Sequence, residues 1–107
     1  MADVSVTLAE NGGSVSLRTG DQLVVRLPET PTTGFRWAVA TGPRSALAAS
    51  GDDFTLGGGS AVGGGGTHSF RFVAQRPGTD SIHLKLWRDW EGEQSVTNRF
   101  RLAVTVR

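Results

Sequence analysis

The sequence predicts an all-β fold: an antiparallel β-sandwich formed by a single domain over residues 1–107. Three observations predict it. Apolar residues recur with period two in short runs, the spacing that sends alternate side chains to opposite faces of a strand. Clusters of Gly, Pro, Asn and Asp separate the runs. No stretch of helical period is long enough to compete with them.

The runs follow in order. Val4, Val6 and Leu8 alternate with Ser5 and Thr7, and Asn11-Gly12-Gly13 turns the chain. Val15 and Leu17 alternate with Ser14, Ser16 and Arg18, and Thr19-Gly20-Asp21 turns it again. Leu23, Val25 and Leu27 make a third inward set, and Phe35, Trp37 and Val39 a fourth. Residues 44–50, RSALAAS, have the composition of one helical turn, and Asp52-Asp53 reads as a solvated loop. Phe70, Phe72 and Ala74 precede the turn Arg76-Pro77-Gly78, and Ile82, Leu84 and Leu86 follow it. Phe100, Leu102, Val104 and Val106 close the chain, each flanked by polar or basic residues. Seven short strands at this spacing resemble an immunoglobulin-like domain, without the cysteine pair of antibody domains.

Composition narrows the function. The chain has 107 residues and no cysteine, so thiol catalysis, thiolate metal sites and disulfide scaffolds are excluded. A domain of this length buries about two-thirds of its unfolded surface, so its core alone can hold it, with no cofactor or metal expected. The net charge of +1 implies no strong pull toward nucleic acid or a membrane surface. The N-terminus, MADVSVTLAE, has no basic segment followed by an apolar one. No signal peptide is expected there, which leaves a cytoplasmic protein or the mature form of a secreted or periplasmic one. No apolar run approaches the roughly 20 residues of a membrane span.

Three connections are more than hairpin turns, and in a sandwich loops gather at the ends, where separate loops form one surface. The first is Thr30-Pro31-Thr32-Thr33-Gly34-Phe35. Pro31 fixes its own φ and biases Thr30 toward extended backbone, while Gly34 permits a positive φ, so the loop is stiff before it meets anything. It reads equally as a turn whose threonines bond their own backbone. The second, residues 57–67, holds seven glycines in eleven residues. No strand-to-helix context or lysine makes it a phosphate loop. It reads as a linker over Gly57–Gly59, and over Gly63–Thr67 as a bare edge able to lie against another surface. The third, Trp87-Arg88-Asp89-Trp90-Glu91-Gly92, carries Trp and Arg, the residue types of binding hot spots. One tryptophan serves equally to cap the core, the role expected of the inward Trp37.

Catalysis has little support in the sequence. His68 and His83 lack a nearby cysteine or paired carboxylates that would make a triad or metal site. Asp89 and Glu91 flank Trp90 as rim charges. No catalytic residue and no metal ligand is assigned, and no enzyme is expected.

Taken together, TPTTGFRW at 30–37, GGGGTHSF at 63–70 and RDWEG at 88–92 resemble the chagasin-like inhibitors of papain-type cysteine proteases. The family pattern is NPTTGF, GxGGTxxF and RPW, in that order, on an immunoglobulin-like sandwich, and the resemblance covers essentially the whole chain. Thr30 stands where the family has Asn, and Asp89 where it has Pro. The first change removes a bracing amide; the second removes a fixed φ and adds a negative charge beside Trp90. The resemblance implies a reversible, tight-binding inhibitor that blocks the protease cleft without covalent chemistry. It assigns protease binding to Thr30, Pro31, Thr32, Thr33, Gly34 and Phe35, to Gly63, Gly64, Gly65, Gly66 and Thr67, and to Arg88, Asp89 and Trp90. Thr32 and Thr33 would present hydroxyls to the catalytic imidazole. Gly63–Thr67 would pair along the cleft through its main chain; because ordering glycines costs entropy, Gly63–Gly66 is expected to be mobile when free and ordered when bound. Trp90, oriented by Arg88, would pack on an aromatic wall. The partner implied is a papain-family protease, met by a monomer. The alternative is a non-inhibitory immunoglobulin-like module that binds peptide or carbohydrate through Trp87 and Trp90.

Overall fold

A computed structural model describes residues 2–56 and 65–107. Eight strands form two four-stranded sheets. They are β1 (Asp3–Thr7), β2 (Ser14–Leu17), β3 (Gln22–Glu29), β4 (Arg36–Thr41), β5 (Leu47–Leu56), β6 (Gly66–Ala74), β7 (Gly78–Trp87) and β8 (Asn98–Val106). One sheet has the order β1-β3-β6-β5 and the other β2-β8-β7-β4. Among the described residues, the only helical pieces are three-residue 3₁₀ turns at Leu8–Glu10, Pro31–Thr33, Asp89–Glu91 and Glu93–Ser95. No helix among them is long and apolar enough to cross a membrane.

The inward residues of the alternation meet between the sheets. Leu23, Val25 and Leu27 of β3 and Phe70 and Phe72 of β6 pack against Ile82 and Leu84 of β7 and Phe100, Leu102 and Val104 of β8, all in one buried core. Trp37 closes this core near one end, and its indole N–H donates to the Pro28 carbonyl at 2.8 Å.

The structure departs from the sequence reading in four places. First, residues 47–56 are strand β5, not a helical turn followed by a solvated loop. Its run of small residues, the bulge between Ala49 and Gly51 and the acidic pair Asp52-Asp53 hide the alternation, and its strand character comes from pairing with β6. Second, the sandwich is not wholly antiparallel: the edge pairs β1–β3 and β2–β8 run parallel, because the first strand of each sheet enters beside a strand other than its hairpin neighbour. Third, Val39 is exposed, since β4 is an edge strand with a bulge between Val39 and Thr41. Fourth, Leu8 leaves the alternation for a 3₁₀ turn, capped by Thr7 and Glu10 in a reciprocal pair of bonds.

Candidate functional site

Strand pairing brings the predicted loops together. The connection 30–35 leaves β3 and crosses to β4 in the opposite sheet. Arg36 at the start of β4 lies opposite Trp87 at the end of β7, which places the β7–β8 connection beside it. Glu29 at the end of β3 lies opposite Gly66 at the start of β6, which places the β5–β6 connection on its other side. Gly63 and Gly64 lie outside the described residues. Gly65 comes next, close enough to the tip that a Cβ on it would stand 3.8 Å from the Thr30 hydroxyl.

The tip is one 3₁₀ turn. Pro31 occupies its first position, where no amide donor is needed. The Thr33 and Gly34 amides donate back to Thr30 and Pro31 at 3.1 and 3.0 Å. Gly34 ends the turn with φ +81, a left-handed conformation that side chains disfavour. The Thr33 hydroxyl donates to the Thr30 carbonyl at 2.7 Å and accepts from the Phe35 amide at 3.2 Å. That hydroxyl is thus spent inside the turn, as the plain-turn reading anticipates, and Thr32 stands exposed at the apex.

The β7–β8 connection folds against this tip. The Arg88 Nε and Nη2 both donate to the Thr33 carbonyl, at 3.1 and 3.0 Å, and the guanidinium lies 4.4 Å from the centre of the Phe35 ring. Its third nitrogen reaches Glu91 at 3.5 Å. The contacts of Arg88 therefore run to the tip, where the sequence resemblance had it orienting Trp90. Trp90 is two-thirds exposed, at 67%, yet one edge of its indole covers Gly34: a Cβ there would lie 2.7 Å from Trp90 Cη2. Ser95 braces the loop from below, accepting from the Arg88 amide at 3.0 Å while its hydroxyl sits 2.7 Å from the Gly92 carbonyl. Asp89 begins the 3₁₀ turn 89–91 and is exposed. Beneath the two loops lies a groove of about 450 Å³ lined by Glu29, Thr30, Thr33, Phe35, Leu86 and Arg88, among others.

Two assignments change with the geometry. Gly66 and Thr67 belong to β6, which pairs with β3 on one side and β5 on the other, so they sit within a sheet instead of an open edge. Gly66 is required there by packing: a Cβ would meet the Thr55 carbonyl oxygen at 2.4 Å and the Phe54 ring at 2.6 Å. Trp87 is half-buried beneath the Lys85 ammonium, 3.6 Å from its ring centre, so it is not the open aromatic that a carbohydrate surface needs. Lys85 in turn pairs with Glu93, whose carboxyl is held below its ordinary range by that hydrogen bond and by Arg99.

The sequence reading missed one cluster. His68 does have paired carboxylates: Nδ1 lies 2.9 Å from Glu29 and Nε2 2.6 Å from Asp52. Its partners come from β3 and β5, 39 and 16 residues away, and no local pattern announces them. No group of three or more His, Asp or Glu among the described residues has a metal-holding arrangement.

Comparison with known proteins accords with this geometry. Residues 16–104 match the model of the chagasin family, described as peptidase inhibitor I42. Chagasin of Trypanosoma cruzi is 29% identical over 99 residues, covering 89% of this chain and 90% of chagasin. Among solved structures, the cysteine protease inhibitor EhICP2 from Entamoeba histolytica superposes with a TM-score of 0.88 at 21% identity, over 100% of this chain and 97% of that one. PbICP-C, solved in complex with falcipain-2, superposes with a TM-score of 0.65 at 16% identity, over 98% and 89% of the two chains. With its tip, its braced tryptophan loop and its sandwich all accounted for, the chain belongs to the chagasin family of peptidase inhibitors, and is not an enzyme.

Proposed function

We propose that this protein is a reversible, tight-binding inhibitor of papain-family cysteine proteases, and that it enters the cleft with the ridge formed by residues 30–35 and 88–90. Family membership supports the class, and the structurally similar PbICP-C was solved in complex with falcipain-2. The observation that carries the site is the contact between the two loops. Arg88 forks onto the Thr33 carbonyl and Trp90 covers Gly34, so tip and tryptophan form one pre-ordered edge. Pre-ordering reduces the entropy lost on association, which favours tight binding at a standard interface of roughly 1,600 Å².

The mechanism is a wedge. Thr32 at the apex meets the catalytic Cys–His region, and Trp90 packs on the wall beside it. Thr33 contributes mainly by closing the turn. A protease cuts a peptide held extended; a 3₁₀ turn at Pro31–Thr33 presents no extended scissile bond, so the tip blocks without being cleaved. Gly65 adds a flank on the other side of the tip, whereas Gly66 and Thr67 anchor that flank in the sheet.

Titration of active-site-counted papain, followed by fluorogenic peptide cleavage, tests the reading. Stoichiometric loss of activity with the inhibitor intact on a gel is expected. Thr32→Ala and Trp90→Ala are each expected to weaken inhibition about tenfold or more, the loss of roughly 1.4 kcal/mol of contact. Arg18→Ala, near the opposite end, should leave it unchanged. Equal inhibition by all three variants would place the interface elsewhere.

A further inference from the structure

The Glu29–His68–Asp52 cluster lies directly under the tip and belongs to none of the roles assigned above. His68 and Glu29 are each 4% exposed, while the Asp52 side chain is half-exposed. The imidazole stacks on Phe70, with ring centres 4.2 Å apart and planes 11° apart, so its orientation is fixed. Both ring nitrogens then face a carboxylate oxygen within hydrogen-bond distance.

Donor counting makes this arrangement informative. A neutral imidazole has one N–H and one lone pair, and an ionised carboxylate has lone pairs only. With an ordinary neutral ring, one nitrogen lone pair would face a carboxylate oxygen within 2.6 or 2.9 Å. Two hydrogen bonds require a second proton in the cluster. Among the described residues two further charged groups face the cluster: Arg36, whose Nε lies 3.7 Å from the other Glu29 oxygen and whose side chain is largely exposed, and Asp89, which lines the same cavity as His68 and Asp52.

The position of Glu29 gives the cluster its leverage. Glu29 immediately precedes Thr30, the first root of the tip loop. The same Glu29 oxygen that meets His68 accepts the Trp37 amide at 2.7 Å, and Arg36 approaches the other oxygen; these two residues form the second root. Both ends of the loop therefore converge on one carboxylate, and His68 holds that carboxylate in place from β6 while Asp52 holds His68 from β5.

We infer that His68 is a positioning residue for the tip loop: its ring carries protons on both nitrogens, bridges Glu29 to Asp52, and thereby fixes the carboxylate on which both roots of the loop converge. The effect on inhibition rests on the function proposed above; the effect on the free loop does not.

Three measurements test it. Nitrogen-resolved NMR of the histidine rings, at the pH of the inhibition assay, is expected to show both His68 nitrogens protonated; a single neutral tautomer overturns the inference. Amide exchange at Thr33 and Gly34, compared with the core amides of β6, is expected to quicken in His68→Gln and in Asp52→Ala. Asp52→Ala alters only a half-exposed side chain, so it keeps the test open if His68→Gln folds poorly. The same variants are expected to weaken papain inhibition about tenfold, with loss of loop pre-ordering as the cause. A merely structural role would lower the urea midpoint and leave tip exchange unchanged relative to the core. Unchanged tip exchange in both variants, or unchanged inhibition where the parent protein inhibits, overturns the inference. If the parent protein does not inhibit papain, the proposed function is what fails, and the NMR and exchange results still decide the role of His68.

Discussion

At the residue scale, two positions carry the geometry of the tip. Gly34 is constrained twice, by a φ of +81 and by the Trp90 ring 2.7 Å from where a Cβ would stand. Gly34→Ala should cost about 1–2 kcal/mol from the left-handed backbone alone, and should also displace Trp90; inhibition is expected to weaken more than tenfold, read as a rise in the inhibition constant. Arg88 acts through a planar fork and a stacked face, neither of which an ammonium reproduces. Arg88→Lys should therefore lose inhibition nearly as fully as Arg88→Ala, and a Lys variant that matches the parent would show that charge alone suffices. The need for a glycine at 34 was legible in the sequence, as was the stiffness given by Pro31. The target of Arg88 was not, because it bonds a carbonyl 55 residues away. Nor was the inward turn of the Thr33 hydroxyl, which depends on how tightly the loop closes.

At the element scale, the alternation of β3, β6, β7 and β8 was readable because each turns one face to the core, while the other runs from half-buried in β6 and β7 to exposed in β8. Edge strands were harder. β5 was misread because an edge strand meets fewer demands on its side chains, and its register is imposed by β6. The far ends of the strands hold a second kind of order. Burial pushes the Asp80 carboxyl up, but amides of Arg44, Ser81, Leu47 and Ser45 converge on it and hold it below its ordinary range. Asp21 is lowered likewise by the Arg18 and Ala2 amides. A carboxyl depressed in the folded state stabilises the fold above its unfolded pKa, and that contribution disappears as pH falls through the folded value. Stability should thus decline in acid below the ordinary aspartate range. Asp80→Asn, offering one good acceptor to four amides, should cost about 1–3 kcal/mol at neutral pH and flatten the acid decline, as urea titrations across pH would show.

At the scale of the whole molecule, the two ends of the sandwich divide the labour. Asp21 and Asp80 tie strands together at one end, and the ridge of Thr32 and Trp90 stands at the other. Exposed substitutions at the ridge should leave stability within about 0.5 kcal/mol of the parent. Unchanged urea midpoints for Thr32→Ala and Trp90→Ala, alongside weakened inhibition, would separate binding from folding. The sandwich and the order of the loops were readable along the chain; the His68 cluster was not, because it exists only once β3, β5 and β6 lie side by side.

The placement of the chain ends has a practical consequence. The Ala2 amide is held by Asp21 at one end of the sandwich, and the Arg107 carbonyl accepts from Thr19 beside it, both remote from the tip. Any polypeptide, surface or label attached at either end would point away from the ridge. Anchored on a bead through either terminus, the protein should retain full capacity to capture a protease from solution, making it a ready affinity handle for enzymes of this class.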